Sequence, residues 1–84
     1  MKNKSESIRT QLEMSPEKVA ELENMMMETE LKTKKELFNY ALTLLKWAIK
    51  ERREGRIIAS IDESANKIKE LDMPILEVVA RKAK

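Results

Sequence analysis

The chain has 84 residues, 17 of them basic and 15 acidic, with no cysteine and no histidine. That composition bounds one small domain and excludes disulfide staples, Cys/His zinc sites and histidine-based acid–base catalysis. A core of this size supplies only a few kcal/mol, so oligomerisation is the remaining way to enlarge it.

No apolar run approaches the roughly 20 residues of a membrane span, and the first residues lack the apolar h-region of a signal peptide. No membrane association is expected, and the absence of cysteine fits a reducing cytoplasm. The net charge of +2 is too small to argue for nucleic acid by itself. Its distribution is uneven: +1 over residues 1–14, −4 over 15–31, +5 over 32–56 and zero over 57–84.

Residues 1–6 are polar and charged and read as a mobile basic arm. Lys2 and Lys4 there are candidate phosphate contacts, or simply a solvated start. Residues 7–14 alternate. Ile8, Leu12 and Met14 share one face with Thr10, and Ser7, Arg9, Gln11 and Glu13 share the other, the pattern of a half-buried strand. A lone strand must find a partner. The candidates are the same strand of a second chain and the β-like run at 56–61. On the polar face, Arg9 and Gln11 have the chemistry that reads guanine and adenine in the major groove. Glu13 repels phosphate but can accept from cytosine.

Ser15-Pro16 predicts a helix start, with Ser as N-cap and Pro in the first turn. Val19, Leu22, Met26 and Thr29 recur on one face, so the helix is expected to end near Thr29. Met25 and Met27 widen that face, as core filling or as a plastic binding surface. The following joint lacks the glycine expected at a helix C-terminus; if Glu30 adopts the left-handed conformation there, it costs about 1 kcal/mol.

Thr33-Lys34-Lys35-Glu36 is a capping box opening a second helix from about Lys34 to Glu54. Leu37, Ala41, Leu44, Leu45 and Ala48 form one stripe, and Phe38, Leu42 and Ile49 a second beside it. A helix apolar over so wide an arc packs on two sides, which favours an intertwined dimer. Trp47 is expected at the edge of that surface. The start of the helix has the chemistry of an anion site. Lys50, Arg52, Arg53 and Arg56 crowd its far end, where cations complement the dipole. Gly55 stops the helix. Residues 56–61 then read as a strand, 62–66 as a turn, and 67–71 as either a strand or a helical turn. Pro74 opens a last helix over about 75–83.

The order of arm, alternating strand, Ser/Pro-capped helix, short turn and Thr-capped helix resembles the ribbon-helix-helix repressors, the class that includes Arc and MetJ. The residues carrying the resemblance are Ile8 to Pro16 and Leu31 to Leu42. It implies a mostly α, α+β fold: a homodimer with intertwined helices and an intermolecular antiparallel β-ribbon entering the major groove. Arg9, Gln11 and Glu13 would contact bases, while Thr33, Lys34 and Lys35 would grip phosphates. The chain departs from the family pattern at Glu13, where a neutral or basic residue is more usual, and in lacking the turn glycine. On this reading residues 7–54 are the DNA-binding and dimerisation core and 55–84 a C-terminal extension.

Three readings stay open on the sequence. The first is a sequence-specific DNA-binding homodimer, a repressor of pseudo-palindromic or repeated half-sites in double-stranded DNA. The second is an antitoxin-like interaction protein whose apolar tail, residues 57–84, binds a protein partner through Ile57, Ile58, Ile61, Ile75, Leu76 and Val79, against the plainer reading that these residues simply extend the dimer core. The third is a monomeric α+β domain in which 8–14 pairs with 56–61. No enzyme is expected, because no His- or Cys-containing nucleophile–base pair and no Gly-rich phosphate loop is present, and no cofactor is called for.

Overall fold

A computed structural model of the chain describes residues 11–84. The arm at 1–6, with Lys2 and Lys4, and the first half of the expected strand, with Arg9, lie outside the described residues. The fold is a small α+β arrangement. Helix α1 spans Pro16–Thr29, α2 Lys34–Arg53 and α3 Pro74–Lys82; strand β1 spans Ala59–Asp62 and β2 Lys67–Glu70. The chain divides into two compact units, the second running from Lys35 to Lys84.

Local chemistry sets the first helix. Ser15 is extended (φ −67°, ψ 157°), and its hydroxyl accepts from the Lys18 amide at 3.2 Å, so one orphan donor is satisfied. Pro16 follows in the first turn. At the other end Glu30 adopts φ 59°, ψ 29°. Its amide donates to the Met27 carbonyl at 3.3 Å, and the Leu31 amide reaches back to the Met26 carbonyl at 3.0 Å. That pair of bonds is a Schellman motif with a glutamate at the position that normally takes glycine. Val19, Leu22 and Met26 are half-buried, whereas Met25 and Met27 are exposed. The Thr29 hydroxyl donates to the Met25 carbonyl at 2.7 Å instead of joining the apolar face.

The second helix ends the same way with the expected residue. Gly55 has φ 87°, its amide donates to the Arg52 carbonyl at 3.1 Å, and the Arg56 amide donates to the Glu51 carbonyl at 2.9 Å. Where such a motif usually carries an apolar contact, Arg56 Nε instead meets Glu51 Oε1 at 2.6 Å, and Arg56 Nη2 pairs with Glu54.

β1 begins three residues later than the β-branched run suggests, and residues 56–58 belong to no strand. Its partner is β2, antiparallel, in the register Ala59↔Glu70, Ser60↔Lys69, Ile61↔Ile68 and Asp62↔Lys67. The ambiguous run at 67–71 is therefore a returning strand. Residues 11–14 are in neither helix nor strand, and the two-stranded sheet does not include them. Among the described residues this corrects the strand expected at 7–14, and residues 11–14 do not make the pairing with 56–61 that the third reading expects. The turn between the strands is held by Asp62. Its Oδ1 accepts from the Ser64 hydroxyl at 2.9 Å and from the Ala65 amide at 3.2 Å, and Asn66 closes the turn at φ 56°. Asn tolerates that conformation because its short polar side chain bonds locally.

The described residues bury three hydrophobic side chains, Leu37, Ala48 and Leu76, and no polar one. Along α2 the buried or half-buried apolar positions are Leu37, Phe38, Leu45, Ala48 and Ile49. Ala41, Leu42 and Leu44, which complete the two stripes read from the sequence, are exposed.

Candidate nucleic-acid interface

Gln11 and Glu13 lie in the segment that feeds Ser15, and both are exposed. Their two-residue separation places them on one side of an extended chain. Leu12 between them is also exposed, and Met14 is half-buried, so only part of the apolar side of this segment is covered.

Thr33, Lys34 and Lys35 stand at the start of α2, and all three are exposed. The helix runs for 20 residues. Its first amides and the positive end of its dipole sit beside two lysines, an arrangement suited to a phosphate. The basic residues at the far end of α2 divide into two kinds. Lys50 and Arg53 are exposed. Arg52 and Arg56 serve the fold. Arg52 Nη1 donates to the Arg56 carbonyl at 3.0 Å, and Arg52 Nη2 lies 3.6 Å from Glu77 Oε1 on α3. The Glu51 carboxylate, first by hydrogen bond and then by charge, raises the Arg56 pKa above its ordinary value, with Glu54 adding to it. The dipole reading of these two arginines thus gains a second component that spacing did not reveal: they tie the end of α2 to the turn after it and to α3.

A second feature was missed by the sequence reading. The C-terminal unit contains an apolar cleft of about 360 Å³. Leu44, Leu45 and Ala48 of α2 form one wall, Ile75 and Leu76 of α3 another, and Ile58, Leu71 and Met73 complete it. Leu76 at its base is 2% exposed, while Leu44 is 64% and Trp47 49% exposed at the rim. The available signal was the width of the apolar arc on α2, which exceeds what one nine-residue helix covers.

Among the described residues no cluster of three or more Asp or Glu side chains is placed to hold a metal ion. No described helix is long and apolar enough to cross a membrane. Comparison with protein-family models, with curated proteins and with solved structures returns no match.

Proposed function

We propose that the chain is a sequence-specific DNA-binding homodimer that acts as a transcriptional repressor of ribbon-helix-helix type. The observation that carries this reading is the imbalance of the apolar surface. Leu12, Met27, Leu42 and Leu44 stand exposed in the single chain, while α1 buries no residue fully. A second chain is the simplest cover for such a surface, since oligomerisation enlarges the core of a small domain. In that dimer the segment at 7–14 pairs with its own copy, which answers the need for a partner that β1 leaves unmet. Arg9, Gln11 and Glu13 then face the bases. Thr33, Lys34 and Lys35 hold the backbone, with Lys2 and Lys4 reaching flanking phosphates.

The test is selection of bound duplexes from a random DNA pool near physiological salt. The reading expects an enriched inverted or repeated motif that is lost with Arg9→Ala. For about six neutralised phosphates, log K against log salt should slope near −5. A slope near zero, or no enrichment from folded protein, would sink it. Replacing Arg9 or Gln11 should cost roughly 1–3 kcal/mol and relax specificity, whereas Lys34→Ala should weaken all sequences alike.

The apolar cleft favours one alternative, an antitoxin-like protein whose tail binds a protein partner. Removing residues 57–84 separates the two: collapse of the remaining fold assigns those residues to the core, and a stable truncation assigns them to a partner.

A further inference from the structure

The β1–β2 hairpin is poorly covered: of its eight strand residues only Ala59 is half-buried, and the rest are exposed. Two-stranded hairpins are marginal in water without a third strand or a covering helix. This one also leaves apolar side chains in solvent. Ile61 and Ile68 face each other across the strands, 67% and 70% exposed, and Ile57 just before the strand is exposed as well.

The hydrogen-bond phase fixes which main-chain groups are unused. The Leu71 amide donates to the Ile58 carbonyl at 2.7 Å, so Ile58 and Leu71 form a hydrogen-bonded pair. Such pairs alternate along an antiparallel ladder. In this register Ser60 with Lys69 and Asp62 with Lys67 are the next ones. The amides and carbonyls of Ala59 and Ile61 therefore point away from β2, toward an open edge. Natural edges are blunted by lysine, proline or a bulge. β2 carries Lys67 and Lys69, whereas β1 reads Ala-Ser-Ile-Asp and carries none of these.

We propose that this edge is a second self-association surface, in which β1 pairs antiparallel with β1 of another copy about a two-fold axis at Ala59. Apolar matching and hydrogen-bond phase select this register. With Ala59 opposite Ala59, Ile57 falls opposite Ile61, once on each side of the axis. The outward groups of 57, 59 and 61 meet each other, giving about six main-chain bonds. The exposed isoleucines become cross-strand neighbours on one face of a four-stranded sheet. Sliding the register so that Ala59 faces Ile61 also satisfies the main chain, but it sets Ile58 against Asp62 and Ile57 against Glu63. The surface lies wholly in the C-terminal unit and does not involve the proposed DNA-reading ribbon. If both interfaces form, dimers join into tetramers or longer assemblies; if the ribbon interface does not exist, the chain is a dimer through β1 alone.

The experiment is the mass of the full-length protein in solution, by sedimentation equilibrium at high micromolar concentration, for the native sequence and for Ala59→Pro. Proline removes an outward amide, which an edge strand tolerates, and leaves the bonds to β2 in place. The variant should keep its circular dichroism and lose mass: by half from a tetramer or from a dimer through β1 alone, and down to the ribbon dimer from any longer assembly. An unchanged mass, or a native chain that is already monomeric, overturns the proposal.

A cross-link guards against a variant that fails to fold. The chain has no cysteine, so Ala59→Cys introduces a single thiol on the axis, where its Cα lies about 5.5 Å from its mate, within disulfide range. Lys69→Cys on β2 would lie about 16 Å from its mate, three strand spacings across and two residues along. Mild oxidation should couple Ala59→Cys at least about tenfold faster than Lys69→Cys; equal rates overturn the pairing. Failure of the DNA selection, with the mass still halving, would remove the repressor reading and leave this one standing.

Discussion

The two ends of the molecule solve the same problem with different means. From Lys35 to Lys84 the chain makes a small core of its own: Ala48 and Leu76 are buried, the cleft walls come from two helices and two connecting segments, and Arg52 ties α2 to α3 through Glu77. In the described residues before Lys35 no side chain is buried, and α1 is held mainly by its caps and backbone ladder. The lesson is that secondary structure and core are specified separately. A Ser-Pro start and a Schellman finish suffice to define a helix, but packing supplies most of its stability. A helix of 14 residues with only a half-buried face is marginal by itself, so the described part of the first unit has less packing of its own to hold it than the second.

That contrast can be broken at its strongest point first. Leu76→Ala removes the most buried side chain and should cost about 2–5 kcal/mol in urea unfolding. Leu22→Ala on half-buried α1 should cost far less in dilute protein, and its cost should grow with protein concentration if a second chain covers that face. A concentration-independent effect would remove the contrast.

The two helix ends sharpen the comparison at smaller scale. Gly55 and Glu30 occupy the same left-handed position. A Cβ at Gly55 would meet nothing within 4 Å, so Gly55→Ala costs only the conformational term, about 1–2 kcal/mol. Glu30→Gly should do the reverse and raise the melting temperature by relieving about 1 kcal/mol; a lowered melting temperature would contradict the strain assigned to Glu30. Ser15→Ala deletes the acceptor for the Lys18 amide and should cost about 1 kcal/mol.

The smallest effect is a pH dependence confined to the hairpin turn. The Ser64 hydroxyl, then the Ala65 amide, lowers the Asp62 pKa below its usual range. A group whose pKa is depressed by folding stabilises the fold above its unfolded value and loses that contribution as pH falls through the folded value. The turn should therefore loosen only below about pH 4, seen as acid shifts of the Ser64 and Ala65 amide resonances. Asp62→Asn should abolish that titration.

Much of the helical structure was legible because its signals are local. Ser15 and Gly55 mark boundaries through bonds to residues three positions away, and Pro16 and Pro74 through a fixed φ and a missing N–H, so no distant partner is needed to read them. β1 was misplaced by three residues for the opposite reason. The β-branched run Ile57-Ile58 gives strand propensity, but pairing is set by where β2 lies and by the Asp62 turn. Arg52 and Arg56 read as dipole partners because spacing shows their nearness to the helix end and not Glu77, which arrives from twenty-five residues away.

By itself the sequence determined the helices, the Ser15 cap and the stop at Gly55, because each rests on short-range sterics or hydrogen bonding. Only the tertiary structure decided which half of the α2 stripes is covered, how the hairpin is registered, and that β1 presents an unguarded edge. Those depend on which distant segments meet, and burial and ladder phase are properties of the meeting and not of either segment alone.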